Sequence, residues 1–365
     1  MIIRSLSLSD IRNYSELSLD FEPGINILYG DNAQGKTNVL EAIGLIATTR
    51  SHRGSKDREI IRFGCSEGHI RSIIERDSAT YRVDMHLREG RAKGIAIDGV
   101  RLKRAAQLVG QLFVVSFTPE DLGVVKSGPS ERRRFMDMEL CQLDSVYLTD
   151  LTRYNRLIAE RNRVLKGLWE HPENEMLLDI QDAQLVQLGQ AVIARRKAFL
   201  EEIEETVAAV HRKLTGGKED LKVIYSPDTD GERLEESLKK NRQRDIAMKQ
   251  TTCGPHKDDF VFRITGDIDL RKYGSQGQQR TAALSLKLSE IELIKRIKGE
   301  NPVLLLDDVL SELDSSRQKD LLDSMGGIQT IITCTGLDEF IDGRLRIDRV
   351  FRVTDGHVAP AEETI

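Results

Sequence analysis

Leu6 and Leu8 alternate with Ser5, Ser7 and Ser9 in the opening stretch MIIRSLSLSDIRNY, the period of a half-buried strand. Further on, Ile25 to Gly30 (INILYG) has the composition of a buried strand, and Asn38 to Ala47 (NVLEAIGLIA) has the spacing of a helix. From about Ser130 to Gln250 charge density rises and long helical patterns replace alternation. Leu178, Leu185, Val192 and Phe199 recur every seventh residue, with Leu188, Ile203 and Val210 partly filling a second seam position and Asp182 and Arg196 interrupting it. The pattern predicts a helix over Glu175–Lys213, about 55 Å long at ~1.5 Å per residue. HPEN (His171–Asn174) separates it from an earlier helical region over Glu131–Trp169. Asp259–Thr265 alternates again, Ala283, Leu286, Ile291 and Ile294 recur at helical spacing, and Val303–Leu306 suits a parallel strand buried on both faces.

With 365 residues, 39% of them hydrophobic and 31% charged, the chain can bury a core and is expected to form two domains. A net charge of −5 leaves no global footprint of a nucleic-acid binder, so contact with DNA would rest on local basic patches. Cys65, Cys141, Cys253 and Cys334 lie far apart and form no C-x-x-C pair, which points away from a disulfide framework or a zinc site and toward a reduced, cytoplasmic protein. The alternating N-terminus is not that of a signal peptide, and no stretch approaches the ~20 apolar residues of a membrane span.

Between the strand at Ile25 and the helix at Asn38 sits GDNAQGKT, Gly30–Thr37, which matches G-x-x-x-x-G-K-[ST] in its strand–loop–helix context. Gly30 and Gly35 permit close backbone approach, so the N–H groups of Gly30, Asp31, Asn32, Ala33, Gln34 and Gly35 can surround phosphates. Lys36 is expected to reach the β- and γ-phosphates and the Thr37 hydroxyl to ligate Mg²⁺. A bland glycine turn is the competing reading. Near the other end, PVLLLDDVLSELD (Pro302–Asp314) ends its apolar run in two carboxylates. Asp307 is placed to hold Mg²⁺ and Asp308 to orient the attacking water, although an acidic pair after a strand is also a common solvated turn.

YGSQGQQR (Tyr273–Arg280) stands just ahead of a helix, where N–H groups and the dipole favour an anion. It resembles the signature loop of ABC-type ATPases, with Ser275, Gly277 and Gln278 in the contacting positions and Ser311–Asp314 as the D-loop. The resemblance implies that Ser275 meets the γ-phosphate held by a second copy, so that ATP joins a homodimer. The competing reading is a helix cap with a flexible lead-in.

Taken in order, LSLSDIRNYSELSLDFEPGINILYGDNAQGKTNVLEAI, SFTPEDLGVVKSGPSERRRFMD (Ser116–Asp137), GPHKDD (Gly254–Asp259), YGSQGQQR and LLLDDVLSELD resemble the RecF family of bacterial DNA replication and recombination-repair proteins over essentially the whole chain. The implied fold class is α/β: an ABC-type P-loop ATPase head of two lobes, residues 1–129 and 251–365, with an inserted α-helical arm, residues 130–250. The implied activity is ATP-dependent dimerisation, binding of duplex, junction and gapped DNA, and slow DNA-stimulated hydrolysis of ATP. The implied partners are RecO and RecR, in loading RecA at single-strand gaps and in the SOS response, with no membrane association.

Two features depart from transporter-type ABC patterns. Aspartate at 308, where many such enzymes carry glutamate, sets the carboxylate back by more than about 1 Å, and misplacement of that order can cost ~10²-fold in rate, so a slow switch is expected. QTIITCTGLDEF (Gln329–Phe340) lacks the usual switch histidine, with Thr333 or Thr335 as a substitute. Arg12 and Asn13 are candidates for the adenine, and His256 for a nucleotide-side or a structural role. Candidate DNA patches are Arg50, His52, Arg53, Lys56 and Arg58; Arg101, Lys103 and Arg104; Arg132–Arg134; and Arg153, Arg156, Arg161 and Arg163, any of which can instead carry solvated salt bridges. Arg132–Arg134 can also brace the arm. A transporter's nucleotide-binding subunit shares the three motifs but leaves the long insertion and GPHKDD unexplained. A P-loop nuclease is disfavoured because only about 50 residues follow Asp314, too few for an added domain.

Overall fold

The computed structural model describes residues 1–51, 53–77, 79–337 and 346–361. Of the candidates above, His52 and Asp338–Phe340 lie outside the described residues. Strands β1 (Ile2–Ile11), β2 (Tyr14–Asp20) and β3 (Ile25–Tyr29) lead into helix α1 (Lys36–Thr48) and the single turn α2 (Asp57–Ile60). Then come β4 (Glu67–Arg76), β5 (Ala79–Arg88), β6 (Gly94–Ile97), β7 (Val100–Arg101) and β8 (Val114–Phe117). The middle of the chain holds α3 (Pro129–Leu143), α4 (Ser145–Gly167), α5 (Glu175–Leu214), β9 (Leu221–Ser226), α6 (Leu234–Met248), β10 (Asp259–Ile264), β11 (Ile268–Asp269), α7 (Leu270–Tyr273) and α8 (Gln276–Lys298). Finally come β12 (Val303–Asp307), α9 (Ser315–Ser324), β13 (Thr330–Cys334), β14 (Ile347–Thr354) and β15 (His357–Pro360).

Contacts divide the chain into one unit of Met1–Asp121 with Glu290–Ile365 and a second of Leu122–Ser289. In the first, a sheet of order β15-β14-β3-β13-β12-β8 is parallel except at β15, and a second sheet, β2-β1-β4-β5-β6-β7, is antiparallel throughout. Every residue of α1 from Val39 to Ala47 is buried, because the helix packs against both sheets and has no solvent face. Its core neighbours include Leu6 and Leu8 of β1, Ile70 and Ile74 of β4, and Val303 and Leu305 of β12. The start of the QTIITCTGLDEF segment supplies β13 (Thr330–Cys334), which lies between β3 and β12. Its five strand residues are all buried, as a central parallel strand requires.

In the second unit α5 runs 40 residues, and its heptad positions Leu178, Leu185, Val192 and Phe199 are buried. The expected helical region ahead of it is broken at Asp144, whose Oδ1 accepts the Val146 and Tyr147 N–H groups at 2.8 and 3.1 Å and so starts α4 afresh. This unit reaches past the 130–250 insertion read from charge density. β9 lies within that range, yet it pairs with the returning strand β10, which in turn pairs with β11, giving a three-stranded sheet of order β11-β10-β9.

The polar residues in the α5 seam are anchors of buried networks. Asp182 accepts Arg161 Nε at 2.6 Å and Arg242 Nη2 at 2.7 Å, and Arg161 also reaches Asp245 at 2.8 Å and Thr251 at 2.9 Å. Arg196 donates to Asp137 at 2.8 Å, to the Pro255 carbonyl at 2.5 Å and to Asp258 at 3.0 Å. A charge this deep is tolerated only when paired, so these two arginines hold the helices and the GPHKDD turn in one register.

Candidate nucleotide site

Asp307 ends β12 opposite Thr333 of β13, and Thr333 lies opposite Leu28 of β3, so the Gly30–Thr37 loop after β3 and the Asp307–Asp308 pair emerge at the same, carboxyl edge of the parallel sheet. In open α/β sheets that edge is where ligands bind. Thr37 Oγ1 donates to Asp307 Oδ1 at 2.8 Å, and Thr333 Oγ1 donates to the same oxygen at 2.8 Å. Octahedral Mg²⁺ with ligands at about 2.1 Å places neighbouring ligand atoms ~2.9 Å apart, so Thr37 and Asp307 fit one edge of such a shell.

The loop itself is built for close approach. Gly30 sits at φ 154, and a Cβ there would come 2.2 Å from the Val353 carbonyl. Gly35 sits at φ 114, and a Cβ there would meet Asn13 Nδ2 at 2.5 Å and the Tyr14 hydroxyl at 2.8 Å. Only glycine fits either position. Tyr14 donates to the Gly35 carbonyl at 3.0 Å, Asn13 Nδ2 to the Gln34 carbonyl at 2.9 Å, and Asn38 to Asn13 at 2.8 Å. Gln34 also accepts the backbone N–H of Asp355 on its side-chain oxygen and that of Gly356 on its carbonyl. Asp31, Asn32 and Ala33 are exposed, while Lys36 is buried and donates to the carbonyls of Gly30 and, at 2.8 Å, Asp31. The sequence singled out Asn13 but not Tyr14, whose hydroxyl lies 21 residues from its acceptor.

Asp308 adopts φ 54, in the left-handed region, and its N–H is bound to the Thr333 carbonyl at 3.2 Å and hydroxyl at 3.0 Å. Burial pushes its carboxyl above the ordinary aspartate range; Lys36 opposes that shift, and Asp307 and Glu312 add to it. Arg12 forms a bidentate pair with the buried Glu41 at 2.8 Å and also donates to Ser55 and the Glu59 carbonyl. It lines a pocket with Asn13, Asn38, Arg58 and Phe63. Ser51 holds Glu41 from the other side at 2.5 Å.

In the second unit Ser275 caps α8. Its backbone N–H donates to Gln278 Oε1 at 2.9 Å and its Oγ accepts the Gln278 N–H at 3.2 Å, a reciprocal capping box. Ser275 is exposed and Gly277 half-buried, while Gln278 also donates to Glu219 at 2.7 Å. The cap uses only a lone pair of the serine oxygen, so its proton stays available to an anion. Cap and phosphate contact are therefore compatible.

His256 is structural: Nδ1 meets the Tyr154 hydroxyl at 2.8 Å and Nε2 the Thr251 carbonyl at 3.0 Å. Two of the basic patches lose members. Arg161 is 0% exposed within its network, and Arg132 is buried in an ion pair with Asp259 at 2.6 Å, so neither can meet a phosphate backbone. Arg50, Arg53, Lys56, Arg58, Arg101, Lys103, Arg104, Arg153, Arg156 and Arg163 are exposed.

A parallel sheet, a glycine loop feeding α1, a carboxylate pair at the end of β12 and a capped signature helix together define a P-loop ATPase head of the ABC type. A family model described as an AAA domain matches residues 5–320. The DNA replication and repair protein RecF of Lachnospira eligens is 55% identical over 360 residues, covering 98% of this chain and 99% of that protein, and the Clostridium botulinum protein of the same name is 42% identical over 344 residues, covering 93% and 94%. The chain belongs to the RecF family. The solved recombination mediator protein RecF with ATP, in the RecFOR pathway, superposes with a TM-score of 0.91 at 35% identity over 99% of this chain and 97% of that one. An Smc head bound to the C-winged helix domain of ScpA shares the fold at a TM-score of 0.57 and 14% identity, covering 99% and 97%.

Proposed function

We propose that this chain is an ATP-dependent DNA-binding protein of recombinational repair and replication, a slow ATPase that works as a switch. The observation that carries the reading is the Thr37–Asp307 contact at 2.8 Å, which joins the phosphate loop and the strand-end carboxylate into one site. In this reading the backbone from Gly30 to Gly35 and Lys36 bind the phosphates, and Thr37 with Asp307 would hold Mg²⁺. The cation, when bound, neutralises charge on the transferring phosphoryl group. Thr333 orients Asp307, and Asp308 takes the proton of the attacking water; a carboxyl whose affinity for protons is raised suits that task. Asn13 and Arg12 stand at the base end of the nucleotide, Arg12 being fixed by Glu41.

Ser275, with Gly277 and Gln278, completes the site of a second copy, so that ATP bridges a homodimer. The dimer binds duplex, junction or gapped DNA through exposed basic side chains, and with RecO and RecR helps RecA load at single-strand gaps, with a part in the SOS response. Support for this part is family membership and the RecFOR pathway of the solved relative. A Ser275→Arg variant tests the bridge. It should keep ATP affinity and lose ATP-dependent dimers, because a bulky cation would fill the partner's phosphate site; an undiminished dimer would refute the sandwich.

A further inference from the structure

On β4 and β5, outside the Gly30–Thr37 loop, three side chains with metal-ligating atoms converge. His69 and His86 are direct cross-strand partners in a register that runs unbroken from Glu67↔Arg88 to Arg76↔Ala79. Their rings stack at 3.9 Å with 21° between planes. Glu67 lies two residues before His69, hence on the same face, and its Oε2 stands 2.9 Å from His86 Nε2. One ligand atom from each of the three lies within 4.8 Å of the others. A tetrahedral zinc ion with N and O ligands at ~2.0–2.1 Å sets its ligand atoms about 3.3 Å apart, a separation reached once one imidazole turns out of the stack so that both ring lone pairs aim at the ion.

We propose that Glu67, His69 and His86 bind one borderline divalent cation of the Zn²⁺ kind, at a site separate from the nucleotide. Two imidazoles and a carboxylate are the donor set that this class of cation prefers over Mg²⁺ or Ca²⁺. Three protein ligands leave a fourth position for water. Ser7 and Ser9 of β1 and Gly94 of β6 line the groove of about 720 Å³ over the pair and keep it open. Asp84 does not compete as a ligand, since it accepts Arg71 at 2.6 Å and Arg82 at 2.8 Å, and its single charge offsets one of those two. Bound there, the cation would cross-link β4 to β5 in the middle of the antiparallel sheet.

The test is calorimetric titration of the full chain with ZnCl₂, without nucleotide, in a non-thiol reductant. One ion per chain is expected. His69→Gln and His86→Gln should each weaken it at least ~10-fold, Cys65→Ser should leave it unchanged, and MgCl₂ should not displace it. Failure of the wild-type chain to take up zinc at micromolar concentration, or equal uptake by the double histidine variant, overturns the proposal. Should a variant misfold by circular dichroism, the Co²⁺ spectrum of the wild-type chain decides. Visible bands of a low-symmetry nitrogen and oxygen site support the assignment, and a thiolate charge-transfer band or no visible bands contradicts it.

Discussion

The two units bury charge in different ways. In Met1–Asp121 with Glu290–Ile365, Lys36 at the start of α1 is held by loop carbonyls and Asp307 at the end of β12 by Thr37 and Thr333, with the half-buried Asp308 beside it, at an edge where a ligand can use them. In Leu122–Ser289, Arg161 and Arg196 are sealed among aspartates, and their chemistry is spent on holding helices together. A buried charge is thus a sign of function only when something outside can reach it. Deep inside a helical arm it specifies register instead, at a cost in desolvation.

The largest effects are expected from removing one buried charge from each unit. Arg161→Leu leaves Asp182 and Asp245 as buried carboxylates with fewer partners, and should destabilise the chain by about 3–5 kcal/mol in chemical denaturation. A loss under about 1 kcal/mol would show that the network is not a structural hub. Lys36→Ala should cost little stability but lower ATP turnover by roughly 10²–10³-fold, with loss of ATP-dependent dimers. Normal dimers in that variant would remove the phosphate loop from the account.

Asp308→Asn comes next, because the side chain proposed to handle the attacking water is also partly buried at a cost to its charged form. Turnover should fall by about 10²-fold, while the melting temperature should rise. The sign follows from the raised carboxyl: its contribution to stability is fully present below the ordinary aspartate value of about 3.9 and is lost as pH rises through the folded-state value. The variant should therefore gain on the wild type as pH increases across that window; equal melting curves at all pH values would contradict the burial. The smallest effect is expected from Tyr14→Phe, which removes one hydrogen bond to the Gly35 carbonyl and should cost about 0.5–1.5 kcal/mol, read as a raised KM for ATP with kcat nearly unchanged.

Local spacing made much of the first unit's candidate site readable. Gly30–Thr37 and Asp307–Asp308 are contiguous patterns whose context, strand before and helix after, is also local, and α5 begins at Glu175 and ends at Leu214 against the Lys213 read from heptads. What stayed hidden depends on distant partners. Arg161 resembles any solvated arm arginine until Asp245, 84 residues away, closes on it. The Leu221–Ser226 strand does alternate, with Leu221 and Val223 buried and Lys222 and Ile224 exposed, but its six residues are too short a signal inside a helical stretch, and it forms because β10 returns to pair with it. Ser275 is readable both as a cap and as a phosphate contact, and the capping box leaves its proton free for the second role.

Whether ATP joins two copies over DNA is read from solution mass, by light scattering of the wild-type chain with Mg²⁺ and ATP, with Mg²⁺ and ADP, and without nucleotide, each with and without a gapped DNA duplex. The account predicts a mass that doubles with ATP alone among these nucleotide states, and a dimer that retains the DNA. A chain that stays monomeric with ATP and ignores the DNA would contradict the proposal that ATP, held between Gly30–Thr37 of one copy and Ser275 of another, gates binding.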